Sequence, residues 1–96
     1  MKNSSHPEIK DQLEAYPNPF SEETTIQFSS GVTQNVKVCI YYLTGQEIAT
    51  LFNAEAEAGA VIKLDFKSDE VASGIYFVRM IQANGNVITE KLVLQK

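Results

Sequence analysis

A thiol, an imidazole and two pairs of adjacent carboxylates are the groups in this 96-residue chain whose types could do chemistry. Nucleophilic catalysis needs a thiol or hydroxyl within reach of a base, and the base needs a third group to orient it. The single cysteine, Cys39, lies in the run NVKVCIYYL between Val38 and Ile40 and reads as a small hydrophobe of a strand. The single histidine, His6, stands in the polar opening stretch MKNSSHPEIK, so neither a Cys-His nor a Ser-His-Asp pairing is indicated, and HExxH is absent. One thiol can form neither an intramolecular disulfide nor a thiolate zinc site. The carboxylates pair as Glu22/Glu23 and Asp69/Glu70. Adjacent acids in loops face water, and calcium binding or glycoside hydrolysis asks for more ligands or a wider spacing than this. The expectation is a protein that is not an enzyme, with no catalytic residue, no cofactor and no metal.

The totals narrow the class further. Eight basic against twelve acidic residues give a net charge of −4 with no basic cluster, which argues against nucleic acid or anionic lipid as partner. A composition of 44% hydrophobic and 21% charged residues is that of a folded domain and not of a disordered tail, and the length suits one core. No apolar run reaches the ~18 residues of a membrane span, and the first residues hold no apolar stretch for a signal peptide. The chain is therefore expected to be cytosolic, or else a piece of a longer protein whose export signal lies upstream.

The element that most restricts the backbone is YPNPF, Tyr16, Pro17, Asn18, Pro19 and Phe20. Each proline fixes φ near about −65° and removes a donor, so the stretch neither continues a ladder nor starts a helix. A stiff corner is expected, with Asn18 bonding its own backbone two residues on and with Tyr16 and Phe20 leaving as paired anchors that plug a small core.

Period-two patterns occupy the rest, and no sustained 3.6-residue stripe appears. The expected strands cover residues 9–16, 24–29, 35–43, 47–52, 60–66, 75–82 and 87–95. In the third, Val36, Val38, Ile40 and Tyr42 share the core face, opposite Lys37, Cys39 and Tyr41. Gly45 in LTGQ and Gly85 in Ala83-Asn84-Gly85-Asn86 supply positive φ for two hairpins. Ile48 is expected to point inward, and Leu51 marks a bulge or the end of the fourth strand. NAEAEAG, residues 53–59, is too short for an independent helix and reads as a loop crossing between sheets. The sixth strand is apolar on both faces, but Arg79 lies with Ile75, Phe77 and Ile81, which leaves Tyr76, Val78 and Met80 for the core. Ile88, Leu92 and Leu94 complete the core from the seventh, with Glu90 on the same face near an edge. Seven short strands in about a hundred residues predict an all-β, seven-stranded antiparallel two-sheet β-sandwich of immunoglobulin-like build.

The ordered series YPNPF, TTIQF, VKVCIYYLTGQEIATL, AG, SGIYFVRM and KLVLQK resembles the C-terminal sorting domain, type A, of proteins exported by the type IX secretion system of Bacteroidota. The likeness runs from about Leu13 to Lys96. Tyr42 to Gln46, containing Gly45, corresponds to the family's aromatic-x-x-Gly hairpin, and Ser73-Gly74-Ile75-Tyr76 to its Ser-Gly-Ile-Tyr strand start. The resemblance implies a detachable address label, residues 13–96, behind a flexible tail or linker remnant, residues 1–12. It implies passage through the periplasm and across the outer membrane to the cell surface or medium. There a sortase-like peptidase removes the label and attaches the cargo to anionic lipopolysaccharide. The implied partners are the secretion machinery, the peptidase and a fused upstream cargo. The family's habit of ending in this way places recognition on the outward residues of the last strand, Lys91, Val93 and Lys96. Open sheet edges leave room for a weak homodimer.

A plain accessory sandwich, such as a carbohydrate-binding or flagellar-hook-cap-like module, fits the same strand pattern. A sugar-binding face needs a row of exposed rings. Here the candidates are Tyr41, Phe52 and Phe77, on different strands and in no evident line.

Overall fold

The structure, a computed structural model, describes residues 10–69 and 71–96. His6, Glu70 and the expected start of the first strand at Ile9 lie outside the described residues. Seven strands form without a helix among the described residues: β1 (Gln12–Tyr16), β2 (Glu23–Ser29), β3 (Gln34–Tyr42), β4 (Glu47–Ala56), β5 (Ile62–Lys67), β6 (Gly74–Gln82) and β7 (Val87–Leu94). They make two antiparallel sheets, one of order β1-β2-β5 and one of order β4-β3-β6-β7. Asp11 and Gln12 are already part of the fold, since Gln12 pairs with Ser29 and the Asp11 carboxylate accepts from the Gly31 N–H at 2.7 Å.

Alternation explains which side chains the sheets enclose. Ile26 and Phe28 of β2, Val36, Val38 and Ile40 of β3, Val78 and Met80 of β6, and Leu92 of β7 are fully buried, joined by Leu13, Phe20, Phe66, Tyr76 and Leu94. Ile48 packs against this core. Leu51 is a bulge, because Val38 pairs with Phe52 and Cys39 with Thr50.

Two expectations fail here. Tyr42 does not join the core: it ends β3 and is 40% exposed, its ring 6.1 Å from that of Tyr76. The stretch after Phe52 does not leave the sheet: β4 continues through Asn53–Ala56, pairing in register with Gln34–Lys37, and Ala56 is buried. Alanine and glutamate have low strand propensity, and that composition hid an alternation which tertiary pairing enforces. The crossing to β5 is correspondingly short, and β5 starts at Ile62.

Both tight hairpins use one device. In β3–β4 the Gly45 N–H donates to the Tyr42 carbonyl and the Tyr42 N–H to the Gln46 carbonyl; in β6–β7 Gly85 and Gln82 repeat this with Gln82 and Asn86. Gly45 and Gly85 sit at φ +94° and +95°, with nothing near where a Cβ would stand. A side chain there meets only conformational strain. Gly45→Val or Gly85→Val is therefore expected to destabilise by about 1–3 kcal/mol, against under ~0.5 for Lys63→Ala on the exposed face of β5, measured by thermal melting. Equal melting temperatures for all three would refute the turn assignment.

Candidate functional site

The YPNPF corner and the last strand, far apart in sequence, form one unit. Both of the corner's proline peptide bonds, Tyr16–Pro17 and Asn18–Pro19, are cis. The buried Thr24 hydroxyl holds the corner by donating to the Pro17 carbonyl at 2.8 Å. Pro17 and Pro19 have no N–H to offer, and the side-chain amide of Asn18, with a donor and an acceptor side by side, acts as a substitute peptide group. It donates to the Lys91 carbonyl at 2.7 Å and accepts from the Val93 N–H at 2.9 Å. The expected local bond of Asn18 to its own backbone is thus replaced by a clasp on β7. Phe20 extends it, its N–H donating to the Val93 carbonyl and its carbonyl accepting from the Gln95 N–H, a short parallel bridge beside Leu94.

The two rings of the corner part company. Phe20 is buried at 3% exposure and meets Phe66 edge-on at 6.1 Å. Tyr16 is 40% exposed, its hydroxyl donating to Gln27 Oε1 at 2.9 Å, so the expected pair of core anchors is in fact one anchor and one surface ring.

β7 is an edge strand of its sheet, and an open edge is a template for unwanted pairing. The corner occupies its edge groups at Lys91, Val93 and Gln95, so this part of β7 has backbone partners on both sides. Of the residues expected to be read on its outward face, Lys91 and Lys96 are exposed, while Val93 is half-buried opposite Ile75. The Lys96 N–H donates to Ser73 Oγ at 3.0 Å. Gly74 opens β6 opposite Leu94, and the Tyr76 hydroxyl donates to the Ala72 carbonyl, which fixes the Ser-Gly-Ile-Tyr segment against the end of the chain.

Lys91 belongs to a larger surface. It lies across from Phe77, Phe77 lies across from Tyr41, and the Arg79 guanidinium sits 5.2 Å from the centre of the Tyr41 ring. Lys37 Nζ is 3.7 Å from Glu47 Oε1 at the β4 side. Burial, with Cys39 and Glu47 adding to it and Arg79 opposing, pushes the Tyr41 hydroxyl above the ordinary tyrosine pKa. The ring therefore meets the guanidinium in its neutral form at physiological pH. Sequence reasoning missed this cluster, although the both-sided apolar pattern of β6 was its signal.

The remaining candidates stay apart. Phe52 points inward, edge-on to Phe28 at 5.1 Å, and a cation lies over Tyr41, so Tyr41, Phe52 and Phe77 form no row of stacking faces for a sugar. Cys39 is fully buried, its Sγ 3.7 Å from Thr50 Oγ1. Glu22, Glu23 and Asp69 line an open depression of ≈ 320 Å³ with Lys67 and Ser68, and Ser68 is tied down by its own bonds to Glu22 and Ser21. Among the described residues no three of His, Cys, Asp and Glu gather closely enough to hold a metal ion.

Comparison with known proteins adds the following. Residues 14–95 match the model of the family described as secretion system C-terminal sorting domain. No curated protein matches the chain. Among solved structures, a crystal structure of dimeric latent PorU from Porphyromonas gingivalis is similar at 20% identity and a TM-score of 0.68, over 88% of this chain and 9% of that one. CopC from Methylosinus trichosporium OB3b is similar at 19% identity and a TM-score of 0.49, over 88% of this chain and 91% of that one. The chain thus spans about a tenth of the PorU structure's length, and at this identity the likeness speaks to the sandwich fold alone.

Proposed function

The chain belongs to the secretion system C-terminal sorting domain family, the signal by which proteins are taken through the type IX secretion system across the outer membrane, and from that membership we propose how it works. The domain is a non-catalytic, detachable label. The activity of the precursor resides in a cargo fused upstream, and the residues ahead of Asp11 belong to the linker between them. The precursor crosses the periplasm, the machinery takes hold of the folded label, and a sortase-like peptidase cuts ahead of the sandwich.

The observation that carries this reading is the family match along residues 14–95. The clasp of the corner on β7 supports it: the cargo-proximal first strand and the last strand are tied together, so the label is presented as one closed body. We place recognition at the end of the chain, on Lys91 of the outward side of β7 and on the exposed Lys96 just beyond the strand, with Val93 between them.

Surface charges contribute little to stability, so Lys91→Glu with Lys96→Glu is expected to leave the fold intact, with a change of under about 1 kcal/mol by circular dichroism melting. A reporter fused to the unaltered domain should reach the surface of a host with the type IX machinery, and the same reporter on the doubly reversed domain should be held in the periplasm. Normal surface display of the folded double variant would refute recognition through these lysines.

A further inference from the structure

The two sheets differ in what their central strands show to solvent. A sheet packed on one face only alternates apolar-in with polar-out. β2 obeys this, with Glu23, Thr25 and Gln27 on its outward side, where Gln27 bonds to both Tyr16 and Glu14. β6 does not: its outward residues are Ile75, Phe77, Arg79 and Ile81. Register sets beside them Tyr41 from β3 and Val87 and Val93 from β7. Ile75 is 41% and Val87 51% exposed. One side of a small domain thus carries apolar side chains outside its core, Ile75, Phe77, Tyr41 and Val93 toward one end and Ile81 and Val87 toward the other, with Arg79 and Thr89 between them.

Charge on this side runs against the chain as a whole. The protein holds twelve acids and eight bases, yet the outward cations Lys37, Arg79 and Lys91 stand on β3, β6 and β7, whereas the outward acids Glu47 and Glu55 stand on the edge strand β4. Among the described residues the one ion pair is Lys37 with Glu47, which leaves Arg79 and Lys91 as cations bordering the rings of Tyr41 and Phe77.

We propose that this outward face of the four-stranded sheet, centred on Phe77 and Arg79, is the surface on which a protein of the secretion machinery docks, through an apolar patch bordered by carboxylates. The inference rests on the sorting function and extends recognition from the last strand to the sheet. A second copy of the chain, which would set the acids of β4 against these cations, is an outcome that the test separates by adduct mass. An anionic lipid surface is opposed by the net charge of −4. A partner with a few carboxylates facing Arg79 and Lys91 gains from both the rings and the charges.

The test places a photo-crosslinking p-benzoylphenylalanine at Phe77, and in a control at Gln27 on the outward side of β2, in a reporter fusion expressed in cells with the type IX machinery. Irradiation is expected to yield a covalent adduct from position 77 and none from position 27. The adduct should contain an outer-membrane or periplasmic component of the machinery, joined at a peptide that carries Asp or Glu. Combining Arg79→Glu with Lys91→Glu should lower adduct yield by about tenfold or more while the melting curve persists, since like charges set against each other across an interface are strongly unfavourable. Export with no adduct at 77, equal adducts at 77 and 27, an adduct with lipid, or one at twice the fusion's own mass would each overturn the docking face and leave the sorting function standing. An unaltered fusion that is never exported would overturn both.

Discussion

Phe20→Ala is expected to destabilise the domain by about 3–5 kcal/mol, whereas Tyr16→Ala, at the other end of the same pentapeptide, should cost less than about 1. The two aromatics look equivalent in YPNPF, and only their surroundings separate them. Phe20 is buried against Phe66, and its backbone is bonded on both sides to the end of β7, so removing the ring opens a cavity where the corner, β5 and the last strand meet. Tyr16 gives up one hydrogen bond to Gln27 in an exposed position, and water replaces it. Single domains are stable by roughly 0.05–0.15 kcal/mol per residue, so the loss at Phe20 takes a large part of what holds this one together. Chemical denaturation of both variants decides the matter. Similar midpoints would mean that the corner is held by its prolines and its Asn18 clasp and not by the buried ring.

The corner also shows where sequence reasoning ended. The stiffness of two prolines flanking an asparagine is legible, because it is local. The partner of Asn18 is not, because Lys91 and Val93 lie more than seventy positions away and nothing in either segment names the other. Strand alternation revealed the core sets of β2, β3, β6 and β7 for the same reason that local stiffness was visible: a period of two is written in each strand separately. It failed for residues 53–56, where alanine and glutamate carry the alternation without the usual strand formers, and for Tyr42, where the period was right but the strand had already run past the edge of the core. The candidate surface was half legible. Lys91 was visible as an outward residue of the last strand, but its place beside Phe77, Tyr41 and Arg79 depends on the register of three strands, and register is set by turns and packing that no single segment contains.

Leu92→Ala and Leu94→Ala, the second large pair of effects, should each cost about 2–5 kcal/mol, and each should abolish export of a fused reporter. Both side chains are essentially fully buried, across from Tyr76 and Gly74, and Leu94 also faces the bridge to Phe20. Loss of export alone would not distinguish a damaged signal from a damaged fold, because β7 carries both. The alternating faces of the strand provide the separation. Leu92 and Leu94 act through the amount of folded domain, so their defect should track the folded fraction: export should recover at lower growth temperature, where a smaller share of the destabilised domain is unfolded, or when a stabilising change elsewhere raises the melting temperature. Lys91 and Lys96 act through what the folded domain shows, so Lys91→Glu with Lys96→Glu should remain unexported at every temperature at which it is fully folded. Leu92→Met tests the same logic from the other direction, since it nearly preserves volume, should cost under about 1.5 kcal/mol and should restore display. A Leu92→Ala domain that melts like the parent yet stays inside the cell would place the signal in the core after all, and would remove the outward face of β7 as its seat.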